Sequence, residues 1–488
     1  MNRVPLACRA GMRRATQRTQ AAGSLAWARQ EFGSAVLGDK RRTERGVQLG
    51  AAAATRPHGK LTVALRDAAA RQAGYDFVES PDVSPGALRE AAARAAWKRA
   101  GAAPLVYVPL DQSTLTLPEA SWKKGFGWVD NGRARVLGAE TLNAPLLSGR
   151  GVPLGLVGHV LWCRRAPPRP RGTRTDGLAL EDKETRYWLQ VAQSVVESWQ
   201  ASGFAGTPWL QLDAGADARE VLEWMAWSAE GARVTVRCAQ RTRLCEGPEG
   251  EPGHLEDVLL RQAPRRPYRL RVLPSEKRHG RRARMVVRFC SVLLHLTCPR
   301  TGRTLPVQAW AVHAREEGTC PQGEEPLDWL LLTNTPVRRW KDALAVVRGY
   351  ALRWRVEEVH RAWKRTGCQV EASALHLRAF ECWALMLLCV AVRIERLKRL
   401  AREAPDTPAD TEFSPYELRA LFLLTRNAKA YAQRSVPTLG EAVRWLAELG
   451  GYTGKSSGGP PGSVVLRRGL EQLGPTAEAL RFQEQIKG

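Results

Sequence analysis

"YALRWRVEEVHRAWK", residues 350 to 364, decides how the rest of the chain is divided. On an α-helix each residue turns by about 100°, so Tyr350, Arg353, Glu357 and Lys364 fall within roughly 60° of one another and form one polar stripe. About a third of a turn away, Leu352, Val356, Val359 and Trp363 recur at the period of a core-facing surface. The segment therefore reads as one docked helix, beginning near residue 337, that presents an acid flanked by cations. A solvated face with Glu-to-Lys pairing gives the same stripe. The remainder of the chain has to decide between the two.

A chain of 488 residues implies two to four domains. With 44% hydrophobic and 25% charged residues, its composition is globular. Lys and Arg number 74 against 49 Asp and Glu, a net charge of +25 that favours a polyanionic partner. Nucleic acid comes first, because neutralising phosphates releases condensed counterions. An anionic membrane surface is the rival. It loses ground because "WALMLLCVAV", residues 383 to 392, is too short to span a bilayer and runs on into an amphipathic helix. The ten cysteines are scattered singly, without a C-x-x-C pair or a zinc-spaced cysteine-histidine group, which fits reduced thiols in a cytoplasmic, nucleoid-associated protein. Residues 1 to 22 are basic and lack both acids and a signal core, so they read as a disordered arm that touches DNA. A transit peptide would have the same composition.

Working outward, residues 23 to 100 are Ala/Arg-rich and read as short helices joined by turns. Lys40, Arg41, Arg42 and Arg45 favour DNA contact there. A cap packed on the catalytic body would show the same helices. From 104 the pattern changes to α/β: "PLVYVPLD" and "TPWLQLD" are near-continuous apolar strands that end in Asp111 and Asp213. "ARVLGAETLN" and "PLGLVGHVLWC" read as further strands, and helices follow at about 182 to 201 and 217 to 229. Residues 238 to 327 alternate as an inserted antiparallel sheet would, and "DWLLLTN" at 328 is one more buried strand. A long helix reaches about 402, and helices at 415 to 433 and 437 to 449 flank a linker-like "GKSSGGPPGS". The divisions expected are 1–22, 23–100, 101–237, 238–327, 328–403 and a helical 404–488.

Two aspartates at strand ends and a glutamate on a docked helix supply three carboxylates from distant elements. Open α/β sheets place functional groups at the carboxyl ends of strands. Three hard oxygen ligands suit two Mg2+ or Mn2+ ions, which can serve an in-line displacement at phosphorus. A strand-terminal aspartate is also a common turn or cap residue.

"YALRWRVEEVHRAWK" resembles the Y-(2)-R-(3)-E-(6)-K signature of the bacterial DDE transposases of the IS-four / Tn-five family. "WARQEFGSAVLGDKRRTER" resembles that family's DNA-binding segment, "LDQSTLT" and "LQLDAGAD" its two aspartate strands, and "PLDWLLLTNTPV" the strand before its glutamate helix. The likeness runs over about residues 25 to 475 and reaches the C-terminal region. It implies an RNase H-like catalytic core interrupted by a β insertion, with helical N-terminal and C-terminal domains, the latter for dimerisation. The implied metal triad is Asp111, Asp213 and Glu357, holding two Mg2+ or Mn2+ ions. Tyr350, Arg353 and Lys364 match the residues that grip a phosphate, and Trp329 the tryptophan whose pocket receives a flipped base. Arg361, Arg237, Lys40, Arg41 and Arg42 complete the expected DNA contacts. The implied activity is cut-and-paste transposition by a synaptic homodimer on double-stranded DNA: hydrolysis at transposon ends, hairpin formation and opening, and strand transfer. An end-binding inhibitor and an RNase H-fold nuclease without strand transfer are the alternatives. One departure stands out, since where relatives read D-R-E-A-D this chain has Asp213-Ala214-Gly215-Ala216-Asp217.

Overall fold

The structure is a computed structural model; it describes residues 23–130, 135–167, 177–272, 279–318, 320–425, 436–454 and 459–487. The basic arm expected over 1–22, most of the Pro/Arg-rich loop after 164, and the second half of the helix expected at 415–433 lie outside the described residues.

Five helices open the chain: α1 (Ser24–Phe32), α2 (Lys40–Thr55), α3 (Leu61–Ala64), α4 (Ala68–Glu79) and α5 (Pro85–Ala100). Local chemistry sets their starts. Asp39, Asp67 and Ser84 accept backbone N–H bonds at the heads of α2, α4 and α5, and Pro85 occupies the first turn of α5. The Ala-rich α5 is sealed between layers, with Trp97 buried and its indole donating to Ser198 (3.0 Å). These helices share one core with the long helix at 377–403 and with the C-terminal helices. They therefore pack as a cap on the body, and they keep Lys40 and Arg41 exposed.

The strands are β1 (Leu105–Thr116), β2 (Gly127–Asp130), β3 (Arg135–Leu147), β4 (Pro153–Trp162), β5 (Thr207–Leu212), β6 (Arg233–Arg237), β7 (Leu244–Glu246), β8 (Pro252–His254), β9 (Tyr268–Val272), β10 (Arg281–Thr297), β11 (Thr304–Glu316) and β12 (Asp328–Thr333). Among the described residues they form a single sheet, ordered β2-β3-β1-β5-β6-β12-β11-β10-β7-β8, with β4 on β3 and β9 on β10. β1, β5 and β6 run parallel, joined by crossovers through α6 (Thr185–Ser202) and α7 (Arg219–Trp227). β3 is antiparallel to β1 and β4 antiparallel to β3. The strands expected as an inserted sheet continue this same sheet, because β12 pairs with β6 on one edge and β11 on the other. A short helix, α8 (Leu255–Arg261), also belongs to this region.

Two expectations need correction. Asp111 is not the end of its strand: β1 runs on to Thr116 because Gln112 to Thr116 pair with β3 after the parallel pairing with β5 has stopped at Leu110. The signature segment is not one helix either. It divides into α9 (Trp340–Ala351), a tight turn at Leu352 and Arg353, α10 (Trp354–Arg361) and a π-helical turn, Ala362–Thr366. Leu352 N–H bonds the Gly349 carbonyl and Arg353 N–H that of Tyr350, three residues back, so the chain overwinds there. Beyond it, Gly367 N–H reaches back five residues to the Ala362 carbonyl (2.7 Å), and a Cβ at 367 would sit 2.6 Å from that oxygen.

Helices α11 (Leu377–Glu403), α12 (Pro415–Thr425), α13 (Leu439–Leu449) and α14 (Ser463–Lys487) complete the chain. α14 continues through Pro475, and its sequence gave no expectation of a helix that long. Every described cysteine is a free thiol, and among the described residues no helix is long and apolar enough to cross a membrane.

Candidate active site

The sheet register builds a polar row. His159 on β4 pairs with Asn143 on β3, and Asn143 pairs with Asp111 on β1. Asp213 follows Leu212, the partner of Leu110, and so lies at the end of the same row. Opposite residues in neighbouring strands share a face, and α10 packs over this one. Close docking of the preceding helix is possible because residue 349 is glycine: a Cβ there would lie 2.8 Å from the ring of Tyr107.

Overwinding at Leu352 brings Arg353, 8% exposed, into the space between the acids. Its Nη1 lies 3.2 Å from Asp111 Oδ1, its Nη2 3.5 Å from Glu357 Oε1 and its Nε 3.9 Å from Asp213 Oδ1. The Tyr350 hydroxyl donates to Asp213 Oδ1 (3.1 Å), and Arg237 Nη1 is 3.8 Å from that oxygen. Trp329 on β12 meets the Tyr350 ring edge-on, with centroids 5.6 Å apart. Lys364, on the π-helical turn, sits at the edge of the site, where its Nζ donates to the Thr114 carbonyl (2.5 Å) and lies 3.7 Å from Glu371. Arg361 is exposed on the last turn of α10. Lys40, Arg41 and Arg42 lie apart from this group on the first turn of α2, and Arg42 bonds Asp82 (2.8 Å).

Burial, with repulsion from Glu357 and Asp213, pushes the Asp111 carboxyl well above the usual range despite Arg353. Burial would lower Arg353, but the surrounding carboxylates outweigh it and raise its affinity for its proton. Burial likewise raises Tyr350, with the Asp213 charge adding to it. Three carboxylates thus share one guanidinium, and burial with mutual repulsion makes ionising all of them costly unless more positive charge arrives. That demand, and the hard oxygen donors, fit a divalent cation.

His360 was absent from the expected set. Asp111, Glu357 and His360 each offer a ligand atom, and these lie within 4.8 Å of one another. Burial, together with Lys364 and Arg353, holds His360 down at about 3, so the ring is neutral. A signal for it existed, because the ring lies about 80° round the helix from Tyr350, just beside the stripe. A second histidine-carboxylate group, Glu256, His313 and Asp328, lies next to Trp329. There Arg241 already bridges Glu256 (2.7 Å) and Asp328 (2.9 Å), and His313 Nε2 bonds Asp328 (2.8 Å), so both carboxylates are already paired within the protein.

The departure after Asp213 also has a structural reading. Ala214–Ala216 form a 3-10 turn under which the Trp188 ring packs, 3.0 Å from where a Cβ at 215 would stand. Asp217 accepts the N–H groups of Ala239 and Gln240 and pairs with Arg243, which fixes the loop after β6.

Comparison with known proteins gives two family matches. Residues 24–83 match the model described as transposase DNA-binding, and residues 389–486 that of the transposase Tn5 dimerisation domain. Among solved structures, the cryo-EM structure of a piggyBac transposase synaptic complex with hairpin DNA matches 78% of this chain and 76% of its own. Identity is 10% and the TM-score 0.36, a likeness too loose to align individual residues.

Proposed function

The chain belongs to the Tn5-type transposases, and from that premise we propose that it cuts transposon ends and joins them to target DNA. Asp111, Asp213 and Glu357 would hold two Mg2+ or Mn2+ ions. The observation that carries this is Arg353, which touches all three carboxylates at once. Bound cations would supply stabilisation of charge on the attacking and departing oxygens. The chain's own groups do the positioning. Arg353 offers a rigid fork and Lys364 a point charge for a phosphate, and Tyr350 a hydroxyl. Trp329, edge-on to Tyr350, offers a ring to an extruded base. Arg237 and Arg361 extend the cationic rim, and Lys40, Arg41 and Arg42 lie within the DNA-binding match.

The RNase H-like reading of the core is supported by its strand order, β4-β3-β1-β5-β6, an antiparallel meander extended by two parallel strands. Residues 238–327 then act as an insertion that widens the sheet. Exposed Leu423, Leu424, Phe482 and Ile486 on α12 and α14, within the dimerisation match, support a synaptic homodimer.

The test is cleavage of DNA carrying this transposon's ends with Mg2+ or Mn2+. Asp111→Ala, Asp213→Ala and Glu357→Ala are each expected to abolish cleavage and to leave end binding intact. Normal cutting by any of them removes that residue from the triad, and binding without cutting by the unmodified chain supports an end-binding inhibitor instead. A hairpin or joined product separates transposition from simple hydrolysis.

A further inference from the structure

The row of polar side chains across β1, β3 and β4 ends in a hydrogen-bond puzzle whose solution bears on the metal. Asn143 Oδ1 faces Thr141 Oγ1 at 3.1 Å and His159 Nδ1 at 2.7 Å, and Asn143 Nδ2 faces His360 Nε2 at 3.0 Å. Thr141 Oγ1 also lies 3.0 Å from the Val160 carbonyl. A hydroxyl has one proton, so when it goes to Val160 the Thr141 and Asn143 oxygens face each other at 3.1 Å with no hydrogen between them, and Asn143 Oδ1 takes only the His159 proton. Exchanging the two ends of the Asn143 amide moves no other atom and removes the conflict. Nδ2 then gives one hydrogen to Thr141 Oγ1 and the other to His159 Nδ1, and the threonine proton goes to Val160. Oδ1 is left facing His360 Nε2, which must carry the proton. His159 Nε2 lacks a partner in either arrangement, as a bare nitrogen in the first and as an N–H in the second, and the exchange sets that N–H against the bond gained at Thr141.

With its proton on Nε2, His360 turns a bare Nδ1 lone pair toward Asp111 Oδ2, 4.0 Å away. At that distance, too long for a hydrogen bond even from a protonated Asp111, the two atoms leave a gap that a cation can fill. Donor atoms on one ion with bonds of about 2.1 Å stand roughly 3 to 4 Å apart, so the gap fits. We infer that His360 is a nitrogen ligand, through Nδ1, to a divalent cation shared with Asp111 and Glu357, and that Asn143 is the positioning residue that fixes its tautomer. Ligating histidines are commonly held this way, the second ring nitrogen donating to a carbonyl oxygen. The inference rests on the metal reading above and adds a donor to it. A mixed oxygen and nitrogen set favours Mn2+ over Mg2+.

The test uses the full chain, grown with 15N-histidine or unlabelled, and Mn2+ as the only probe. Pulsed electron paramagnetic resonance of bound Mn2+ is expected to show a histidine nitrogen coupling that changes with the label and vanishes in His360→Gln. Asn143→Leu is expected to weaken Mn2+ binding about tenfold, the lower end of what losing an outer partner of a ligand costs, and to reduce the same coupling. It also serves if His360→Gln does not fold. Mn2+ bound in an Asp111-dependent manner without nitrogen coupling in the unmodified chain overturns the histidine ligand and leaves the carboxylate site standing. Coupling that persists in His360→Gln overturns it as well. No Asp111-dependent Mn2+ binding overturns both.

Discussion

At Arg353 a buried guanidinium stands 3.2 to 3.9 Å from three carboxylates, so its removal leaves those acids facing one another. Breaking a buried ion pair from one side costs about 3–5 kcal/mol. Arg353→Ala is expected to lose that much stability at neutral pH in a chelator and to regain part of it in Mn2+, because a cation can then neutralise the acids. Arg353→Lys, which keeps the charge and loses the fork, should fall between. Urea unfolding measures both, and an Arg353→Ala variant as stable as the parent chain would show that the acids are held apart in some other way. Much of this neighbourhood was legible in one helical period, which grouped Tyr350, Arg353, Glu357 and Lys364. Asn143 and His159 were not, because what brings them into one row with Asp111 is the register between three strands, and local periodicity carries no information about pairing partners.

At the scale of the element, β12 joins the inner strands to the sheet extension, and its first residue, Asp328, is bonded by His313 and Arg241. Burial alone would raise Asp328, but those bonds outweigh it and hold the carboxyl well below the usual range. A depressed carboxyl contributes stability above its unfolded value of about 3.9, and the contribution fades as pH falls through and below that value. The unmodified chain should therefore lose urea resistance on acidification from pH 5 more steeply than Asp328→Asn; parallel curves would remove the network from the stability of β12. Which elements the sequence revealed follows from physics of the same kind. The apolar runs of β1, β5 and β12 showed plainly, since strands covered on both faces read as continuous hydrophobic stretches. The break at Leu352, the π-helical turn and the passage of α14 through Pro475 did not. Tertiary packing overrides the local preferences that a sequence displays, and Trp363, whose indole bonds the Ala384 carbonyl at 3.0 Å, pins that π-helical turn to α11.

Over the whole molecule, the +25 charge sets how the chain meets DNA. Counterion release makes such binding steeply salt-dependent: affinity for a random duplex should fall about a thousandfold between 50 and 200 mM salt. Fluorescence anisotropy would follow it, and a flat response would deny the charge a role in binding. The continuity of the sheet bears on how any of these variants should be judged. β1 is paired with β3 and β5, and β5 with β1 and β6, so both acid-bearing strands are bonded along each side. Their amide protons, at Val108, Leu110, Leu210 and Leu212 among others, can trade with deuterium only when the sheet itself comes apart. Slow exchange at those positions in a variant of Asp111 or Asp213 would therefore certify that the chain is folded and only its chemistry is gone.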